Sequence, residues 1–401
     1  MAERLLVEPD LKFIKDLGIL GGDDLKKCYQ CATCSVVCPI SPDNKPFPRK
    51  EMIAASWGLK EKLVKSADPW LCHNCGDCST RCPRKAKPGD VLAAIRAQAI
   101  VEYSRPRWLA EAVNDPKKLP ILIAIPVALF LVVGSITGLL NFKPDLSGGI
   151  AHYKFFSTWL VDMHMVPAML FAVTVLALGL KRFVCDIHQN ALAEGKTDKQ
   201  TIEAAGFVQA IFRVIPTIMT HKKFTECTEN KDRYIAHFLT FWSFVGLFIV
   251  TSVIFLVLYG SYLLPTGPLH GPWAQINPIK WLANVSGIAL IVGTSLMIKN
   301  RLNKPDQKSA YKDWFLIVLA FGLGVTGMLT ELTRIAGWAP VTFAMYFLHL
   351  IFIFFLIAYL PFTKLAHLVY RTAAMVYSEY AGRKKIWGHL KVPTKLFFLN
   401  T

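Results

Sequence analysis

The sequence predicts an all-α chain. A soluble helical part covers 1–115, a six-helix membrane part covers 116–375, and a basic tail covers 376–401. Three observations predict this. Apolar residues in the first part recur at helical spacing. Hydrophobicity rises abruptly after Asp115-Pro116. Six apolar segments follow, each near the ~20 residues that a spanning helix needs: 119–140, 155–180, 236–259, 281–298, 314–335 and 341–365.

In the first part, Leu11-Lys12-Phe13-Ile14 marks a helix. Residues 49–66 mark a second, with Met52, Ile53, Trp57, Leu59 and Leu63 on a broken apolar face, and 91–103 a third. Eight of the ten cysteines stand in two copies of Cys-x2-Cys-x2-Cys-x3-Cys-Pro. They are Cys28, Cys31, Cys34 and Cys38 before Pro39, and Cys72, Cys75, Cys78 and Cys82 before Pro83. This run holds paired 4Fe–4S clusters: three thiolates wrap three iron corners of one cubane, and the fourth, past a turn, reaches the other. The expected sets are Cys28, Cys31, Cys34 and Cys82 for one cluster, and Cys72, Cys75, Cys78 and Cys38 for the other. Zinc usually takes cysteine pairs farther apart. Disulfides need an oxidising compartment, to which no signal peptide points. The 33 residues between Cys38 and Cys72 exceed what a compact two-cluster ferredoxin needs, so the clusters are expected between helices. Cys185 and Cys227 read as ordinary thiols.

The net charge of +17 lies mainly in connecting segments and is a poor argument for a nucleic-acid partner. Residues 181–235 hold nine Lys and Arg, 299–312 five, and the tail from Lys364 seven, while the alternate connections are nearly bare. That asymmetry puts the cluster part and the tail on the cytoplasmic side of an inner membrane. Within 181–235, Thr197-Asp198-Lys199-Gln200 reads as a capping box. Behind it, Ile202, Ala205, Val208, Phe212 and Ile215 mark a helix ending near Pro216, either on the membrane surface or packed as a soluble helix.

Ionisable residues inside spanning helices mark function. His349 and His367 are eighteen residues apart, five turns of one helix, and so share a face about 27 Å apart along the axis. That suits two stacked b haems with paired histidine ligands. Depth matching gives His164–His349 for the outer haem and His237–His367 for the inner, with His152 in reserve for the outer pair. The remaining histidines, His73 included, read as non-ligands. Gly322-Leu323-Gly324-Val325-Thr326-Gly327 matches a dinucleotide loop but sits in a spanning helix, so it is read as close packing; Gly134 and Gly138 are similar packing positions. Glu331 and Arg334, one turn apart, are either an ion pair or, with His152, a quinone site near the outer face.

The run His349-Leu350 … Leu360-Pro361-Phe362-Thr363-Lys364-Leu365-Ala366-His367 resembles the last helix of respiratory nitrate reductase cytochrome b subunits, over about 155–375. In that likeness His237 matches an inner haem ligand, while Leu247 stands where the outer ligand would be, hence His164. Residues 1–115 resemble heterodisulfide reductase C subunits. The combination resembles the C subunits of quinone-interacting membrane-bound oxidoreductases. This resemblance implies menaquinone as membrane substrate and flavin and iron–sulfur partner subunits like heterodisulfide reductase A. It also implies electron delivery towards adenylylsulfate reductase in sulfate respiration. The expected flow runs from menaquinol through the outer and inner haems to the clusters and a soluble partner. Rival readings are the reverse flow, a haem-free anchored ferredoxin scaffold, and a module using methanophenazine.

Overall fold

The computed structural model describes residues 8–383 except 227, 231, 266 and 305–308. Cys227, His389 and most of the basic tail therefore lie outside the described residues. The chain is about 72% helical, with no strand among the described residues. Two compact units form. One gathers Met1–Ala99, Leu180–Lys231 and His367–Thr401; the other gathers Ile100–Gly179 and Asp232–Ala366.

In the first unit, Asp10 caps Leu11–Leu17 by accepting from the Phe13 amide at 2.8 Å. The stretch 49–66 is two helices, Arg49–Ser56 and Lys60–Val64. They are parted at Gly58, whose φ of +67° suits a residue without Cβ. That break turns Trp57 outwards, 64% exposed, rather than onto the expected apolar face. Trp70, Phe183 and Tyr370 pack edge to face or tilted with centroids 5.3–5.7 Å apart, all essentially fully buried. Beside them Asp68, with no exposure, meets Lys50 at 2.5 Å, Lys196 at 3.1 Å and the Arg383 guanidinium. A carboxylate this deep is tolerable only with such partners, and they hold its pKa far below the carboxylate range.

The amphipathic helix is Ala204–Met219. The expected capping box does not cap it: Lys199 N donates to Thr197 Oγ1 in a local turn, and the helix starts four residues later. It also continues past Pro216, whose carbonyl accepts from the Thr220 amide at 3.0 Å. The helix packs on His367–Tyr380 through Phe207 against Tyr380, leaving Val208, Phe212 and Ile215 exposed.

Among the described residues six helices are long and apolar enough to cross a membrane: Pro116–Thr137, Thr158–Ala193, Arg233–Ser261, Pro278–Leu302, Tyr311–Ile335 and Ala339–Ala358. This is the pattern of a multi-pass membrane protein. Leu170, Phe248 and Leu256 stand out from them 63–70% exposed, as lipid-facing side chains would. In the second unit, Phe130, Phe156, Leu160, Phe354 and Phe362 form the core. Gly134 lets Leu160 close in, since a Cβ there would lie 2.7 Å from Leu160 Cδ2. Gly138 does not pack: at φ +69° it ends the first span as a left-handed cap.

One expectation fails here. His349 and His367 do not share a continuous helix. Ala339–Ala358 stops, two 3-10 turns follow at Leu360–Phe362 and Lys364–Ala366, and a new helix starts at His367. Pro361 has no amide to continue the ladder and biases Leu360 away from helical backbone. The shared face and the 27 Å spacing were derived from one continuous helix and lose that basis.

Candidate functional site

The cysteines fall where the two motifs turn into short helices, Thr33–Val36 and Asp77–Thr80, each entered through a left-handed residue, Ala32 or Gly76. A cavity in the first unit is lined by Cys38, Cys72, Cys75 and Cys78, together with Phe47, His73 and Leu92. The last thiol of the first motif thus joins the first three of the second. Burial, then the neighbouring Cys72, pushes the Cys38 thiol up to about 12. Burial and the same neighbours push Cys78 up. Cys34 rises to about 11 through burial and Cys28. Thiolates crowded this way need a cationic guest, and four sulfur donors around one cavity fit an iron–sulfur cubane. Among the described residues no three Cys, His, Asp or Glu side chains close on a single-ion site; a cubane spreads its thiolates over four separate corners. Arg84, two residues past Cys82, lies 4.1 Å over the Tyr29 ring, next to Cys28. Asp77 anchors the second motif by accepting from the Thr228 and Glu229 amides at 2.9–3.2 Å.

Two of the four predicted membrane histidines show their hydrogen bonding. His164 Nδ1 lies 2.7 Å from the Leu160 carbonyl, an acceptor only, so Nδ1 carries the proton. His349 Nδ1 lies 3.0 Å from Thr326 Oγ1. The Thr326 hydroxyl donates its one hydrogen to the Gly322 carbonyl at 2.6 Å, so it accepts from His349 Nδ1–H. Both rings therefore keep the Nε2 lone pair, the tautomer a histidine needs to ligate metal through Nε2. Each ring, taken by itself, therefore has the tautomer that haem ligation requires. Gly327 allows the approach, since a Cβ there would meet His349 Cε1 at 3.0 Å. Gly322 does the same for Phe352. His237 lies in the first turns of Arg233–Ser261, in the second unit, and His367 opens its helix in the first.

Glu331 and Arg334 form an ion pair at 2.9 Å. Glu331 is 8% exposed and also takes Lys280 at 2.6 Å and the Gln275 amide. Its oxygens are committed, so it is a poor proton acceptor. His152 differs: its Nε2 is buried without a partner, and its ring lies 4.6 Å from that of Tyr346. Burial, then the Arg334 charge, lowers its pKa to about 4, which leaves the imidazole neutral. Sequence reading missed Lys280, Gln275 and Tyr346. A lone lysine in the first turn of a span was the available signal. It also missed Asp162, which accepts from Tyr259 Oη at 2.6 Å.

Residues 24–86 match the 4Fe-4S dicluster domain family. Over 91 residues the chain is 37% identical to the C subunit of the H(2):CoB-CoM heterodisulfide,ferredoxin reductase of Methanothermobacter marburgensis, covering 22% of this chain and 49% of that one. It is 31% identical over 105 residues to a heterodisulfide reductase C-like protein of Archaeoglobus profundus, covering 26% and 56%. It is 30% identical over 107 residues to the C subunit of the ferredoxin:CoB-CoM heterodisulfide reductase of Methanosarcina acetivorans, covering 27% and 42%. The chain spans about half the length of the curated relatives it matches. No solved structure matches it. The N-terminal part is therefore a 4Fe–4S dicluster domain homologous to the C subunits of heterodisulfide reductases, an iron–sulfur electron-transfer module.

Proposed function

We propose that the chain is a membrane electron-transfer subunit. It exchanges electrons with menaquinone and passes them to soluble flavin and iron–sulfur subunits through its two clusters, towards adenylylsulfate reductase, at an inner membrane with the cluster domain cytoplasmic. The single observation that carries this is one chain joining a dicluster domain to six spanning helices, two of which present histidines with a free Nε2 lone pair.

In this reading Cys28, Cys31, Cys34 and Cys82 hold one cluster, and Cys38, Cys72, Cys75 and Cys78 the other. His164 and His349 hold a b haem, which when bound supplies a one-electron carrier within the bilayer. The chain's own residues do the rest. Leu160 and Thr326 orient the two imidazoles. The buried, neutral His152 offers a hydrogen-bond partner to a bound quinol, and the Glu331–Arg334–Lys280 network fixes the wall beside it. Reconstitution in menaquinone-containing vesicles tests this. Added menaquinol reduces the clusters, and His152→Phe raises the menaquinol KM at least tenfold with the visible spectrum unchanged. Clusters that stay oxidised under menaquinol contradict the proposal.

A further inference from the structure

The two thiol sets differ in exposure. In one set Cys38, Cys72 and Cys78 are buried and Cys75 is half-buried, whereas in the other Cys31 is exposed and Cys28, Cys34 and Cys82 are half-buried. Electrons that leave the domain leave most directly from the set containing Cys31. The surface around that set is distinctive. Tyr29 is 69% exposed and Val36 80%, an aromatic and an aliphatic anchor flanking Cys31 in sequence. Arg84 lies on the Tyr29 ring. Arg49 Nε donates to the Gln30 carbonyl at 2.9 Å, and its amide to Ser35 Oγ at 3.0 Å, so its charge sits on the same face. Arg81 and Lys85 flank Cys82 and Arg84 in the chain and are exposed. None of these four cations has a carboxylate partner among the described residues. Exposed charges without counter-ions around an apolar centre are what an electrostatically steered encounter needs.

We infer that the face formed by Tyr29, Val36, Arg49, Arg81, Arg84 and Lys85 is the docking surface for a soluble one-electron carrier with an acidic rim, and that electrons cross there from the cluster holding Cys31. The inference rests on the proposed transfer to soluble subunits. Tyr29 and Val36 supply the desolvated centre, and the cations supply on-rate and orientation.

The test uses the full chain in detergent, with a photoreduced acidic flavodoxin and a net-neutral sulfonated viologen as two electron donors. Cluster reduction is followed by stopped-flow absorbance. With flavodoxin the second-order rate falls steeply with salt. Arg49→Glu with Arg84→Glu lowers it at least about tenfold, the lower end of steering effects, while the viologen rate is unchanged. Because Arg84 also packs on Tyr29, Arg81→Glu with Lys85→Glu is measured beside it; these side chains make no described hydrogen bond or ion pair, and the same selective loss is expected. A flavodoxin rate indifferent to salt and to the second variant overturns the docking face. Menaquinol reduction of the clusters in that same variant keeps the wider function standing, so the two failures are separable.

Discussion

Thr326→Val isolates how the membrane part prepares a histidine. Valine keeps the volume and branching of threonine but removes the oxygen that accepts from His349 Nδ1–H at 3.0 Å. The Gly322 carbonyl also loses the hydroxyl, but it keeps its place in the helix ladder, so the cost falls on the imidazole. A buried donor left wholly unsatisfied costs about 1–3 kcal/mol; the Leu323 carbonyl, which also takes a hydrogen bond from His349, keeps the loss towards the lower end. Losing the partner of a ligating histidine typically costs about 10–100-fold in metal affinity. At about 1.4 kcal/mol per tenfold the two figures agree. The assay is pyridine haemochrome quantification with redox titration of the b band in purified protein. Thr326→Val should lose haem during purification or shift its midpoint, and Thr326→Ser, which keeps the oxygen, should behave as the parent. Identical haem content and midpoint in Val and Ser variants would refute the role of Thr326 and the Nδ1–H tautomer behind it.

Further outcomes follow from the geometry. Cys38→Ser should remove about four irons and the cluster held by Cys72, Cys75 and Cys78, leaving the other cluster's EPR signal; loss of the other signal would break the crossed assignment. Glu51 is buried at 3% exposure, and burial, then the Asp68 charge, raises its pKa to about 8. An unfolded glutamate titrates near about 4.3, so between those values the folded state binds more protons and stability falls as pH rises. Glu51→Gln should therefore have a higher melting temperature than the parent at alkaline pH and a similar one in mild acid. Glu331→Gln leaves Lys280 and Arg334 facing each other with no carboxylate between them. It should destabilise the detergent-solubilised protein by about 3 kcal/mol, seen as a lower melting temperature.

Legibility in the sequence divided by range. The two cysteine motifs and the spans were readable because spacing of two or three residues and runs of about twenty apolar residues are local signals. The helix break before His367 was signalled by Pro361, yet the even spacing of two histidines outweighed it. Thr197–Gln200 matched a capping box in type, but His188 Nε2 lies 3.1 Å from the Gln200 carbonyl and Tyr380 Oη accepts from the Glu203 amide. Those tertiary contacts set the helix start instead. Asp68 gathers Lys50, Lys196 and Arg383 from three distant segments, and no periodicity could announce that. Glu331 and Arg334 were found by their one-turn spacing, whereas Lys280 and Gln275 came from another element.

The most direct test of the electron-transfer account is an anaerobic spectrum of the purified chain before and after menaquinol, with iron and haem quantified and the clusters followed by EPR. The account predicts about eight cluster irons, a b-type haem band, and reduction of both by menaquinol. Eight irons with no haem band and clusters untouched by menaquinol would contradict it and leave an anchored ferredoxin.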